Sequence, residues 1–243
     1  SEIAVHNNLG AYCVSVDGCI RWQGVNVSSA RRALATAVLT TLAEYRYAAL
    51  LHAAAVTNGD TTLLIAGPSG SGKTTLAAAS VGLGWRLLTE DITPMDAAGN
   101  VHPVAFAVSV KQGSVPVLSS TFPALVGAEE HLVGERRVRY LSIPPRARAV
   151  TTARPTLLLA PRFDPRRKPE VRVLTPLERI ALFTTRESRL DFHSGARAVV
   201  TLLEALPAFE ITYGSSEEAF AQIARLIDAT GTMYILNLPK TEI

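Results

Sequence analysis

The run Gly67-Pro68-Ser69-Gly70-Ser71-Gly72-Lys73-Thr74, followed by Thr75, constrains the fold more than any other stretch of this 243-residue chain. A glycine, four residues, then Gly-Lys-Thr is the pattern of a phosphate-binding loop. Gly67 and Gly72 permit backbone conformations that side chains would block. Loop N–H groups, with those of the helix start behind them, can cradle phosphate oxygens. Lys73 would bring a positive charge to the β- and γ-phosphates of a nucleoside triphosphate, and Thr74 a hydroxyl to Mg²⁺. The flanks agree. Residues 61–66 are an apolar strand candidate that ends at Gly67, and Lys73 to about Val81 predicts a helix that Gly82 or Gly84 can end. A Gly-rich surface turn would give no reason for Lys-Thr at the helix start. The expectation is an α/β chain that binds a nucleotide through residues 67–75.

Neighbouring segments converge on the loop. Asn58-Gly59-Asp60, between two apolar runs, predicts a hairpin turn. A turn centred near Gly59 pairs Thr57 with Thr61 and Ala53 with Ile65, which sets His52 beside Ala66 at the loop's mouth. Trp85–Thr89 predicts a strand parallel to the one before the loop, joined to it by a right-handed crossover and ending at Glu90-Asp91. Ligands in such sheets gather at the carboxyl ends of parallel strands. His52, Lys73, Thr74, Glu90 and Asp91 are therefore expected in one crevice. One carboxylate there can hold Mg²⁺, directly or through water, and the other can orient an acceptor hydroxyl and take its proton. The plainer alternatives are a solvated strand end for Glu90-Asp91 and a hydrogen-bonded structural role for His52.

Elsewhere the signals are coarser. Residues 1–28 read as short strands, with a hairpin around Asp17-Gly18. Ser28 and Ser29 can cap a helix from about Ala30 to Ala49, whose apolar spacing is Leu34, Val38, Leu42, Tyr45 and Ala49. Another hairpin turn is expected at Ala97-Ala98-Gly99-Asn100. Residues 112–156 are rich in Pro, Gly and Arg with little periodicity, and predict an irregular segment, a candidate mobile loop. A buried strand is expected at 156–160, and helices at about 176–187, 194–206 and 216–229, the first with Pro176 near its start. The organisation expected is one domain over 1–243. It comprises a small β-rich N-terminal lobe and helix (1–50), the loop-bearing core (51–111), the irregular segment (112–156) and a C-terminal strand with helices (157–243).

Composition bears on partners. Hydrophobic residues are 48% and charged residues 19%, ample for a core and against disorder. No run approaches the roughly 18 apolar residues of a spanning helix, so no membrane partner is expected. Ser1-Glu2-Ile3-Ala4 shows no basic region before an apolar stretch, which predicts no signal peptide. Cys13 and Cys19 are too far apart for a C-x-x-C pair and predict reduced thiols in a cytoplasmic protein. The formal net charge of +3 is small for a nucleic-acid binder. Basic residues do cluster, as Arg136, Arg137, Arg139, Arg146, Arg148 and Arg154, then Arg162, Arg166, Arg167 and Lys168. Only Tyr140 and Phe163 interleave with them, too few for a base-stacking platform, so no nucleic-acid partner is expected. These arginines either grip an acidic peptide or the nucleotide phosphates, or form a solvated basic loop.

Three segments carry a resemblance to a known family. Leu51-His52-Ala53-Ala54-Ala55-Val56, the loop, and Gly84-Trp85-Arg86-Leu87-Leu88-Thr89-Glu90-Asp91 resemble the catalytic core of HPr kinase/phosphorylase-like proteins. The likeness continues through Val108–Ser114 and Leu203–Tyr213, and is nearest to the short HPr-kinase-related enzymes of bacterial gene clusters. Some of these, in lasso-peptide pathways, phosphorylate a serine of the precursor peptide. The resemblance implies a P-loop fold like the phosphoenolpyruvate carboxykinase core, with a mixed sheet. It also implies ATP and Mg²⁺, a serine hydroxyl of a peptide or protein as acceptor, and membership of a family that often forms homo-oligomers. By position, Lys73 takes the phosphates, Thr74 and Asp91 the metal, Glu90 the base role, and His52 the family's histidine. The chain departs from the pattern at Glu90, where the family has aspartate. The downstream motif tied to phosphorylase activity is not recognised in it, and the separate N-terminal domain of the longer enzymes is not expected. A small-molecule kinase and a nucleotide-gated regulatory module remain as alternatives.

Overall fold

A computed structural model of the chain describes residues 3–7, 10–14, 20–24, 47–104, 107–133, 136–184, 188–190 and 194–236. Ile3–Asn7 (β1), Gly10–Val14 (β2) and Ile20–Gly24 (β3) form an antiparallel sheet, with Val14 opposite Ile20 across the expected hairpin. The Asp17-Gly18 turn, Cys19 and the expected helix up to residue 46 lie outside the described residues. Ala49, expected to end that helix, instead begins a strand, Ala49–Leu51 (β4). Its three consecutive buried apolar residues suit a short strand covered on both faces better than a helix end.

Ala53–Thr57 (β5) and Thr62–Ala66 (β6) form the expected hairpin, one residue out of the expected register. Thr57 pairs with Thr62 and Ala53 with Ala66. The turn holds an extra residue because Asn58 organises it. The Asn58 Oδ1 accepts from the N–H groups of Asp60 and Thr61, and the Asn58 N–H donates to the Thr61 carbonyl. His52 is therefore one step beyond Ala66, level with Gly67.

Lys73–Gly82 (α1) follows the loop and leads to Arg86–Thr89 (β7), Thr93–Met95 (β8) and Val108–Lys111 (β9). The segment expected to be irregular carries Val115–Ser119 (α2), Ala124–Gly127 (α3), Glu130–Val133 (β10) and Arg136–Leu141 (β11). Such short elements repeat too few times to register as a period. Buried Leu118, Leu125, Val138, Leu141 and Ile143 anchor them. The chain continues through Leu157–Phe163 (β12), Glu170–Val173 (β13), Pro176–Ala181 (α4), Arg189–Leu190 (β14), Ser194–Ala205 (α5), Ala208–Tyr213 (β15) and Ser216–Leu236 (α6). α4 starts as expected, with Thr175 before Pro176 and Glu178 after it forming a capping box. It ends early because the Phe183 N–H bonds tightly back to Ile180 and the ring is buried.

The central mixed sheet has the order β13-β15-β12-β6-β5-β7. β6, β12 and β15 run parallel, and β5 runs against both β6 and β7. β6 and β7 thus point the same way, as expected, but β5 lies between them instead of the two pairing directly. Hairpin strands pair with each other first, which leaves β5's outer edge for β7. The carboxyl ends of β6, β7, β12 and β15 and the start of β5 consequently share one edge of the sheet.

The apolar runs that form β5, β6 and β12 are buried on both sheet faces, as strands between two layers must be. Alternation splits them. Leu63, Ile65, Leu157 and Leu159 pack with Leu76 of α1 and Ile223 of α6, whereas Leu64, Leu158 and Ala55 pack with Leu202 and Leu203 of α5. The resulting α/β layers bury the strands on both faces, and the segments that follow β6 and β7 gather along the shared edge.

Candidate active site

The glycine-rich loop leaves β6 at Gly67 and enters α1 at Lys73. Gly70 and Gly72 have φ of +91° and +110°, the left-handed region in which side chains are strained. A Cβ at Gly72 would also lie 2.6 Å from the Tyr213 hydroxyl, so glycine there is required twice over. The Ser71 N–H donates to the Pro68 carbonyl and the Phe163 N–H to Ser71 O, which ties the loop to itself and to the end of β12. Lys73 is only 7% exposed. Its Nζ donates to the carbonyls of Gly67 at 2.6 Å and Pro68 at 3.2 Å, so the ammonium sits at the first residues of the loop. The first N–H groups of α1 have no partner within the helix, and its dipole favours an anion.

The two carboxylates after β7 diverge. Glu90, 6% exposed, accepts from the Thr74 hydroxyl at 2.7 Å. Burial, then the neighbouring charge of Asp91, pushes its carboxyl up to about 7. The Thr74 hydroxyl, a backbone hydrogen bond from Ser109 and the Lys73 charge oppose that rise without cancelling it. Asp91 turns outward. It is a non-glycine residue at φ 65°, and its side chain is 64% exposed. The His52 ring Nδ1 lies 3.2 Å from Asp91 Oδ1 and 3.1 Å from its carbonyl oxygen. The His52 N–H in turn donates to the Ser188 hydroxyl. The structure thus brings Lys73, Thr74 and Glu90 together, with His52 and Asp91 as a second pair at the rim. Thr75, expected among the nucleotide-binding residues, donates its hydroxyl to Ser114 and ties α1 to the segment after β9.

Most of the basic residues have local tasks. Arg137 pairs with Glu130, Arg139 donates to the carbonyls of Leu125 and Val126, Arg148 to Ile143 and Arg154 to Ala98. Arg166 and Arg167 flank Asp164. Arg136 differs, because it reaches Ser69 of the loop at 3.0 Å, as does Lys111 at 3.3 Å. Lys111 and Tyr213 lie in segments that carry the resemblance, which gave neither a role. Lys111 ends a short alternating strand whose burial pattern was visible in Val108-Ser109-Val110-Lys111, whereas no local signal marks Tyr213.

The residues present fit a Mg²⁺-nucleotide. Magnesium is usually held by one or two carboxylates together with substrate phosphates and water. The Thr74 hydroxyl against a buried carboxylate, next to an ammonium and a left-handed glycine loop, is such a donor set. No helix among the described residues is long and apolar enough to cross a membrane.

Comparison with known protein families and with curated proteins finds no match to this chain. Among solved structures, the Hpr(Ser) kinase/phosphatase from Coxiella burnetii is similar over 73% of this chain and 96% of its own, with 13% identity and a TM-score of 0.35. The likeness is distant, and no residue role passes across it.

Proposed function

We propose that this chain is an ATP-dependent phosphotransferase whose acceptor is a serine hydroxyl of a peptide or protein. The observation that carries the proposal is the contact of Thr74 with buried Glu90 beside Lys73, with the exposed Asp91–His52 pair at the rim of the same edge. The loop and the start of α1 bind the phosphates, and Lys73 neutralises them. Thr74 and Glu90 would hold Mg²⁺, which screens charge on the β- and γ-oxygens when bound. The resemblance gave the base role to Glu90 and the metal to Asp91. The geometry favours the reverse, because an acceptor on a polypeptide can reach the exposed carboxylate and not the buried one.

In this reading the acceptor oxygen bonds to the γ-phosphorus while the bond from that phosphorus to the β,γ-bridging oxygen breaks. The electron pair departs with ADP, and the acceptor proton passes to the Asp91 carboxylate, which His52 orients. The open rim suits a polypeptide, and the segments shared with the short HPr-kinase-related enzymes favour a precursor peptide.

The test is incubation with Mg²⁺ and γ-labelled ATP, alone and with the peptides encoded beside the gene, locating label by mass spectrometry. Label on a serine, lost in Lys73→Ala and Asp91→Asn, is the expected result. Binding of ATP with label on no peptide would overturn the peptide acceptor and leave a small-molecule acceptor or a regulatory module.

A further inference from the structure

Lys111 and Arg136 stand on adjacent antiparallel strands, with Lys111 opposite Val138. Residues directly opposite share a sheet face, as do residues two apart along a strand. Lys111, Val138 and Arg136 therefore project from one face. Val138 is buried, so that face is turned toward the body of the protein. At its end both cations arrive at one neutral group, the Ser69 hydroxyl, at 3.3 and 3.0 Å. Among the described residues no carboxylate forms an ion pair with either. Bringing two like charges to a neutral oxygen is unfavourable unless an anion joins them.

The position of Ser69 names the anion. The amides at the helix start face the α- and β-phosphates, and the loop lysine reaches toward the γ-phosphate. Lys73 Nζ lies on the carbonyls of Gly67 and Pro68, so the first residues of the loop mark the γ end, and Ser69 is the next residue. β9 also links Glu90 with the loop. Ser109 gives its backbone hydrogen bond to Glu90, while Lys111 at the strand's end reaches Ser69.

We propose that Lys111 and Arg136 form a cationic clamp on the terminal phosphate of a bound nucleoside triphosphate, the group to be transferred. This deepens the phosphotransferase reading and rests on it. As the γ-phosphoryl group moves, negative charge spreads over its equatorial and leaving oxygens, and preplaced cations stabilise that distribution. The clamp comes from the same chain, so no partner has to supply the charge.

The experiment is calorimetric titration of Mg²⁺-ATP and Mg²⁺-ADP into wild type, Lys111→Met, Arg136→Met, the double variant and Arg136→Lys. Arg137→Met, which removes a charge from the neighbouring position, is the control. Thermal unfolding of each variant checks its fold. Each cation removed is expected to weaken ATP binding about tenfold, the scale of one charged hydrogen bond, and ADP binding less than about twofold. Arg136→Lys should recover part of the loss and Arg137→Met should match wild type. Equal losses for ATP and ADP, or none for either, would overturn the clamp while leaving nucleotide binding intact. A wild type that binds neither nucleotide would overturn the phosphotransferase reading itself.

Discussion

The Thr74 hydroxyl donates to Glu90 Oε1 across 2.7 Å, which ties the first turn of α1 to the end of β7. Removing the donor in Thr74→Ala leaves a buried carboxylate without its hydroxyl. The expected cost is about 1–3 kcal/mol of stability, measured by urea unfolding, because an unsatisfied buried acceptor bears its full desolvation penalty. Thr74→Ser should restore both stability and phosphate transfer. Equal stability of the alanine and serine variants would mean the contact contributes nothing.

Glu90 also sets a pH dependence. Its carboxyl is raised from 4.5 to about 7 in the folded chain. Between those values the folded protein holds a proton that the unfolded chain has released, so metal-free stability should fall as pH rises through that window. The slope approaches about 1.4 kcal/mol per pH unit, and the effect levels off above pH about 7. Glu90→Gln removes this contribution. Urea midpoints of the two proteins at pH 5, 6, 7 and 8, in chelator, should converge or cross rather than run parallel.

In the proposed reading Asp91 serves the acceptor side of the site and Glu90 the phosphate side. Asn tolerates the left-handed conformation that Asp91 adopts, so Asp91→Asn should fold with near wild-type stability. It should bind Mg²⁺-ATP normally and transfer phosphate more slowly by about a hundredfold or more, the usual contribution of a positioned base. Glu90→Gln should instead weaken the Mg²⁺-dependent part of ATP affinity. If Asp91→Asn transfers phosphate at the wild-type rate, the base role returns to Glu90.

Gly72 and Tyr213 form a steric pair. Gly72→Ala places a methyl 2.6 Å from the Tyr213 hydroxyl at a φ of +110°, so a loss of at least about 1–3 kcal/mol in stability and weak ATP binding are expected. Tyr213→Phe removes a hydroxyl that is buried and finds no hydrogen-bond partner among the described residues, so it should leave stability unchanged or raise it. The double variant should recover part of the Gly72→Ala loss, because the clash goes while the backbone strain stays. Strict additivity of the two melting-temperature shifts would show that the residues do not interact.

The loop, its flanking strand and helix, and the placement of Thr74 and Glu90 at one edge of the sheet were legible because each depends on residues close in sequence or on strand direction alone; the hydrogen bond between the two side chains was not. The hairpin register was misjudged by one residue because the Asn58 side chain lengthens the turn, and glycine position does not report that. The place of β5 between β6 and β7 was hidden, since strand order is a non-local property. The middle segment looked irregular because four-residue and five-residue helices show no period, although Leu118 and Leu125 were already there to anchor them. The approach of Lys111 and Arg136 to Ser69 depends on how the β9–β11 sheet packs over the loop, which no spacing in the sequence encodes.

The β5–β6 hairpin has a further consequence for how the site comes into being. Ala53 pairs with Ala66, so His52 and Gly67 continue from the two open ends of one ribbon. A hairpin closes in roughly 1–10 μs, well before distant parts of a mixed sheet find each other. The histidine and the phosphate loop can therefore be brought face to face by a local event early in folding. Later steps then only deliver the carboxylates that follow β7 and the cations of β9 and β11 to a spacing that is already set.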